Sequence, residues 1–327
     1  MKHEIFGDLA PIGTQYSDGL YVTFKDSDVH AVYASVGDVP PSSLSNPTVI
    51  SDIKNCALIP IVLQYGHMFE EYLSGILSMH EAATLSSQVI TFIVPPKARE
   101  ISEYEFFLKH LEAYGVNFIY CSAAEEFSTF RFSNLRLVEA VDRNAHTMSL
   151  VRDFCLYVSD KLVDRSDVAG CSYLSRQSGV DSQDLDDGEL EWLANNRHLK
   201  YTATQSRVNE ESTLINYFLA KGDTEIRLSE DFASFEDQVR FFSSLKTLIS
   251  PSGSGLFNLF FMKPGSAIIE LATPLGTHFG NGNYSSAYHL QYPLYSFISG
   301  LNYIGLPHSR EPREIINKLE LLHESIL

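Results

Sequence analysis

The chain has 327 residues, 44% of them hydrophobic and 20% charged, with a formal net charge of −17. That length accommodates two domains of common size, and the acidity excludes nucleic acid and anionic membrane surfaces as general partners. No apolar run reaches the roughly 18 residues of a membrane span, so no stable membrane insertion is expected, and Cys56, Cys121, Cys155 and Cys171 lack paired metal spacing and read as free thiols of a reducing compartment.

Residues 1 to about 60 are rich in β-branched and aromatic residues broken by Gly, Pro and Ser. Within them 19–24, 29–35 and 57–62 predict strands, and 40–47 a loop. Residues 64–80 predict a helix, because Phe69, Leu73, Ile76 and Leu77 share one face. Gly66 and His67 open it, and a histidine there can be a core or capping residue. Glu70 and Glu71 follow; each is read either as part of a solvated face, Glu70 above all, or as a partner of the histidine. A buried strand at 89–94, a helix at 104–114 and a strand at 117–121 come next, and this alternation argues a doubly wound first domain.

Residues 150–162 predict a crossover helix. Residues 170–176 predict the first strand of a second domain, ending in Ser175 and Arg176. An arginine at the carboxyl end of a strand lies where open α/β sheets bind ligands, and its fork can grip a phosphate. The acidic loop 181–189 lacks the glycine and terminal glutamate of a calcium loop and reads as a solvated insertion. In 207–218, Asn209 can cap a helix whose start Glu210 and Glu211 favour through the dipole; a glutamate holding ribose or sugar hydroxyls is the functional alternative. Residues 225–228 predict a strand.

The stretch 234–271 organises the chain. Ser234 is a good N-cap, with Asp237 three residues on, and Val239, Phe242 and Leu245 form one apolar face. A strand at 245–249, a turn at 250–255, a short apolar helix at 256–262 and a strand at 267–271 follow. Gly253 and Gly255 let a ligand approach the backbone, and the helix behind them turns N–H groups toward an anion such as a diphosphate. A plain strand-to-helix connection explains the same glycines. Beyond it lie a polar glycine loop at 273–284, with His278 and Tyr284 as candidate cleft residues, a helix at 288–300 interrupted by Pro293, a strand at 301–306 and a terminal helix at 311–326.

The central stretch resembles the C-terminal signature of the family 61 glycosyltransferases. Gln238, Val239, Phe242, Gly253, Gly255, Leu256, Asn258, Phe261, Met262, Pro264, Gly265, Ser266, Glu270 and Leu271 stand where that signature has them. Ser252 departs from the family's usual histidine, and Ser254 from the alanine between the glycines. The resemblance as a whole runs from about Tyr65 to Ile304, weakly in the first half and clearly in the second. It includes Gly66-His67, with Met68 in place of the family's usual tryptophan and Glu71 at the acidic position, as well as Ser175-Arg176 and Asn209-Glu210-Glu211.

The resemblance implies an α/β, GT-B-like fold of two Rossmann-like domains facing a cleft. Residues 1–148 would form the acceptor domain with a leading β section, and 149–327 the nucleotide-sugar donor domain with a terminal helix. The implied reaction is an inverting transfer of a sugar from a nucleotide-activated donor to a hydroxyl of a glycan or other carbohydrate acceptor, as in polysaccharide biosynthesis. It assigns the base to His67, supported by Glu71. Arg176 and the turn would stabilise the leaving diphosphate, with Arg207, Glu211, Ser252, Gly253, Ser254, Gly255 and Asn258 as further donor-site residues. Because the chain is acidic, the diphosphate needs a local positive pocket, for which Arg176, Arg207, Lys246 and Lys263 are the candidates. No Asp-X-Asp motif stands at a suitable strand end, so neither metal nor cofactor is expected. The first residues carry no apolar signal region, so a cytoplasmic location is expected. The alternative is a non-catalytic nucleotide-sugar or glycan-binding protein on the same fold, which Ser252 supports. A dinucleotide enzyme would need Gly-X-Gly-X-X-Gly after an early strand, and the chain has none. Homo-oligomerisation stays open.

Overall fold

The computed structural model describes residues 20–25, 28–34, 48–50, 56–59, 65–94, 96–99, 101–120, 127–132, 135–137, 144–163, 169–175, 211–222, 224–227, 232–272, 291–307 and 311–326. The chain divides into two units, Met1–Phe154 and Cys155–Leu327.

The first unit holds eight described strands: β1 Leu20–Lys25, β2 Asp28–Ala34, β3 Thr48–Ile50, β4 Cys56–Leu58, β5 Thr91–Val94, β6 Asn117–Tyr120, β7 Phe127–Phe132 and β8 Leu135–Leu137. They form two sheets, ordered β2-β1-β7-β3 and β6-β5-β4-β8. In the first, β1 runs antiparallel to β2 and β7, and β3 parallel to β7. The leading β section therefore closes only when β7 returns to it from beyond the α/β strands. The second sheet is parallel throughout. Its order reverses at β4, which puts that strand's carboxyl end at a point where α/β sheets open for ligands.

The helix after β4 is not the regular α-helix its spacing predicts. One α-turn, Tyr65–His67, passes into a π-helical stretch, Met68–Leu73, and then into α1, Ser74–Leu85. Ser74 Oγ donates to the Glu70 carbonyl oxygen and supplies it with a partner where the ladder widens. The predicted apolar face is kept: Phe69, Leu73, Ile76 and Leu77 are buried. Phe69 meets Phe107 of α2, Ser102–Ala113, ring to ring at 5.7 Å. One expectation is overturned here, because Glu70 is buried rather than solvated. The widened turn carries it inward. The next long helix, α3, spans Ala145–Leu162. The unit division falls inside it, as does the boundary drawn from sequence at 148/149.

The second unit is a five-stranded parallel sheet ordered β10-β9-β11-β12-β13. Its strands are β9 Ala169–Leu174, β10 Thr224–Arg227, β11 Leu245–Pro251, β12 Ala267–Ala272 and β13 Asn302–Pro307. This is the 2-1-3-4-5 order of a doubly wound sheet, with its reversal between β9 and β11. Tyr173, Ile249, Leu271 and Leu306 bury one face of the sheet against Leu214 and Phe218 of α4, Glu211–Lys221, and against Ile315 and Leu319 of α7, Pro312–Ile326. The elements α5, Phe235–Ser244, and α6, Gln291–Ile298, meet a 3-10 helix, Ser254–Phe261. Phe235 of α5 packs on Phe261 at 6.2 Å, and Tyr295 of α6 on Phe260 at 5.3 Å.

Each unit thus holds a parallel α/β sheet, the α/β class expected from the sequence. Ser234 caps α5 as anticipated: its Oγ accepts from the Asp237 N–H at 3.1 Å and donates to the Asp237 carboxylate at 2.8 Å. Ser234→Ala should cost about 1 kcal/mol, read as a lower urea midpoint with an unchanged slope.

Candidate functional site

The strand ends that flank the reversal come together through a missing Cβ. A Cβ on Gly255 would stand 2.7 Å from Leu174 Cδ2, at the carboxyl end of β9. Gly253 is required for a different reason. Its φ of 154° and ψ of −179° lie in a region that only glycine occupies readily. One glycine turns the chain, and the other lets the turn lie against the neighbouring strand.

The turn is clamped from several sides. The Gly253 carbonyl accepts from Tyr292 Oη at 2.6 Å and from the Leu256 N–H at 2.9 Å. Asn258 lies beneath the turn and is buried; its Nδ2 donates to the Gly255 carbonyl at 2.8 Å, and its Oδ1 accepts from Gln238 Nε2 at 2.9 Å. The helix that follows is a 3-10 helix, not the expected α-helix, and its ladder starts at the Leu256 N–H. The N–H groups of Ser254 and Gly255 stand outside that ladder, at the carboxyl edge of the sheet.

Two carboxylates flank this edge on opposite faces. Glu211, the first residue of α4, is buried, and its Oε1 accepts from Tyr173 Oη at 2.7 Å and Ser175 Oγ at 2.8 Å. Tyr173 and Ser175 alternate along β9 and its end, so both point to that face. Glu270 of β12 lies on the other face. Its Oε1 accepts from Ser252 Oγ at 2.5 Å and its Oε2 from Tyr303 Oη at 2.6 Å. Burial, and then the adjacent carboxylates, push the Tyr173 and Tyr303 hydroxyls well above tyrosine's usual range. Both phenols therefore stay protonated donors through neutral and moderately alkaline pH.

The structure brings Glu211, Ser252, Gly253, Ser254, Gly255 and Asn258 together at the end of the β9–β11 reversal. Ser252 fills the family's histidine position and is joined to Glu270. Arg176, Arg207, Asn209, Glu210, His278 and Tyr284 lie outside the described residues. Two suggested cations are misplaced. Lys246 is the second residue of β11, and Lys263 precedes β12, so both belong to the amino edge of the sheet, opposite the turn. In the first unit, His67 ends the α-turn after β4, although its side chain is outside the described set, and Glu71 is half-buried in the π-helical stretch. Among the described residues no three His, Cys, Asp or Glu side chains gather as a metal-binding group, and no helix is long and apolar enough to cross a membrane. Tyr173, Tyr292 and Tyr303 escaped notice as site residues. The period-two relation of Tyr173 to Ser175 was readable; the other two needed the strand order.

Comparison with known proteins agrees with the signature at the turn. The sequence profile described as Glycosyltransferase 61 matches residues 65–269, and the chain belongs to that family of glycosyltransferases. No curated protein matches the chain. Among solved structures the chain is similar to the E. coli ADP-heptose LPS heptosyltransferase II over 84% of its length and 100% of that chain. That likeness, at 10% identity and a TM-score of 0.33, is too distant to carry fold or activity.

The two glycines can be separated by experiment. Gly253→Ala should cost about 1–3 kcal/mol through backbone strain, and Gly255→Ala less, because only the end of the Leu174 side chain has to shift to relieve the overpacking. Adding Leu174→Ala should relieve only the second, as measured by urea unfolding of the single and double variants. Tyr173 supplies a pH test. Its folded pKa is raised, so the folded state keeps a proton that the unfolded chain loses above the usual value of about 10. The contribution of Tyr173 to stability should therefore be constant below pH ~10 and fall above it, and Tyr173→Phe should make the alkaline loss of stability shallower.

Proposed function

We propose that the chain is an inverting, metal-independent glycosyltransferase that binds a nucleotide-sugar donor at the carboxyl edge of the second unit and a carbohydrate hydroxyl at the first. One observation carries the donor site. Glu211 is fixed by Tyr173 and Ser175 beside the Gly253–Gly255 turn, at the reversal of a doubly wound sheet. A carboxylate so held is an acceptor for ribose or sugar hydroxyls. The N–H groups of Ser254 and Gly255 suit the diphosphate, with Arg176 and Arg207 supplying positive charge.

An inverting transfer needs one base to take the proton of the attacking hydroxyl. His67, at the start of the helix behind β4, is assigned that part, and Glu71, four residues on, orients it. Charge building on the departing diphosphate is met by the arginines and backbone donors. A cytoplasmic role in building a surface polysaccharide completes the proposal. One observation favours a non-catalytic nucleotide-sugar binder instead: Ser252 replaces the family's histidine and its hydroxyl is engaged by Glu270.

A thermal-shift series with nucleoside diphosphates and nucleotide sugars, with and without a divalent ion, tests the donor site. Selective stabilisation by one nucleotide without metal is the expected outcome, since a ligand that binds only the folded state raises its stability. Glu211→Gln and Arg176→Ala should each reduce that shift. His67→Ala should abolish transfer while leaving the shift intact. A protein that binds the nucleotide sugar yet transfers nothing to any acceptor would establish the binder.

A further inference from the structure

An uncommitted cation stands at the carboxyl edge of the first unit's parallel sheet. After β5 ends at Val94, a 3-10 turn, Pro96–Arg99, places the Arg99 guanidinium carbon 4.1 Å from the ring centroid of Tyr120, the last residue of β6. Tyr120 is fixed in turn, because its hydroxyl donates to Glu112 Oε1 at 2.6 Å. Arg99 is exposed. The ion pairs among the described residues are His146–Glu81, Arg240–Glu236 and Lys318–Glu314, and Arg99 is in none of them. Stacking occupies the guanidinium face and leaves its N–H edge, the part that meets a planar oxyanion bidentately. In a chain of net charge −17, an anionic ligand has to be met by such a local cation.

A second observation comes from the helix behind β4. The π-helical stretch carries Tyr72, fully buried, with a hydroxyl that has no hydrogen-bond partner among the described residues. Stranding a buried hydroxyl is unfavourable, and native structures seldom keep one without a reason. Its ring meets Tyr104 at 4.5 Å. Burial first, then Tyr104 and Tyr120, hold its pKa far above tyrosine's usual value, so it remains a proton donor next to the same edge. The helix after β4, the turn after β5 and the end of β6 thus bring a stranded hydroxyl, a guanidinium and an aromatic platform to the side of an α/β sheet where ligands bind.

We propose that Arg99, carried on Tyr120 with Tyr72 behind it, forms an acceptor subsite for an oxyanion, so that the acceptor is an anionic glycan bearing a carboxylate or a phosphate. The proposal rests on reading the chain as a transferase whose first unit takes the acceptor.

The test titrates the full chain with glucuronic acid, glucose 6-phosphate and glucose, followed by ligand-observed NMR. Wild type is expected to bind at least one of the two anionic sugars about tenfold more tightly than glucose, the effect of one charge-assisted contact. Preference for glucuronic acid alone assigns a carboxylate, and preference for glucose 6-phosphate alone a phosphate. Arg99→Gln should erase the preference without changing the melting temperature, and Arg99→Lys should retain part of it. Equal binding of the three sugars, no binding of any, or a preference that survives in Arg99→Gln overturns the subsite. The nucleotide thermal shift, run on the same samples, separates the two ideas. A nucleotide shift without an anionic preference removes the subsite alone. An Arg99-dependent preference without any nucleotide shift keeps the subsite and removes the donor reading.

Discussion

The second unit depends on one close approach. For β9 and β11 to lie side by side where the strand order reverses, the turn leaving β11 must pass over the end of β9. Leu174 reaches into that space, and because Gly255 brings no side chain the turn clears it with the leucine left in place. Everything placed at this edge follows. The start of the 3-10 helix is fixed relative to β9, so Ser254 and Gly255 share an edge with Ser175 and Glu211. Tyr292 and Asn258 then hold the turn through the Gly253 and Gly255 carbonyls.

The edge is also governed by where its hydroxyl protons go. Four hydroxyls, those of Tyr173, Ser175, Ser252 and Tyr303, give their protons to two carboxylates, one on each face of the sheet. A buried carboxylate is tolerated when donors surround it, and phenols whose ionisation is suppressed by burial are dependable donors. The arrangement stiffens the sheet at its binding end. The replacement of histidine by Ser252 belongs to the same network: Glu270 holds a hydroxyl where the family's usual residue is an imidazole.

Much of this was legible from the chain. The cap at Ser234, the strands on either side of the turn and the terminal helix with Ile315 and Leu319 follow from local rules of capping and periodicity. The two glycines were legible as a site for close approach, but not their separate reasons, since Leu174 is far away in sequence. Lys246 and Lys263 looked like phosphate ligands by proximity along the chain; strand direction sends them to the other edge. Tyr303 could not be linked to Glu270 without the pairing of β12 with β13, in which Glu270 faces Gly305 and leaves the phenol room to reach across. The burial of Glu70 was hidden for a similar reason. Sequence spacing presumes an α-helix, and the helix after β4 changes its pitch.

That change of pitch sets the phase between the two ends of the helix. A π-helical turn takes up about one residue more than an α-turn, so residues before it are rotated by roughly 100° relative to those after it, compared with an unbroken α-helix. His67 lies on one side of the stretch, and the α1 residues Ile76 and Leu77 lie on the other, anchored in the core. The azimuth of the histidine about the helix axis is therefore decided by residue count within Met68–Leu73. Removing one residue there would turn the residues before it, His67 among them, to a different side of the axis and would disturb the packing of Phe69 on Phe107.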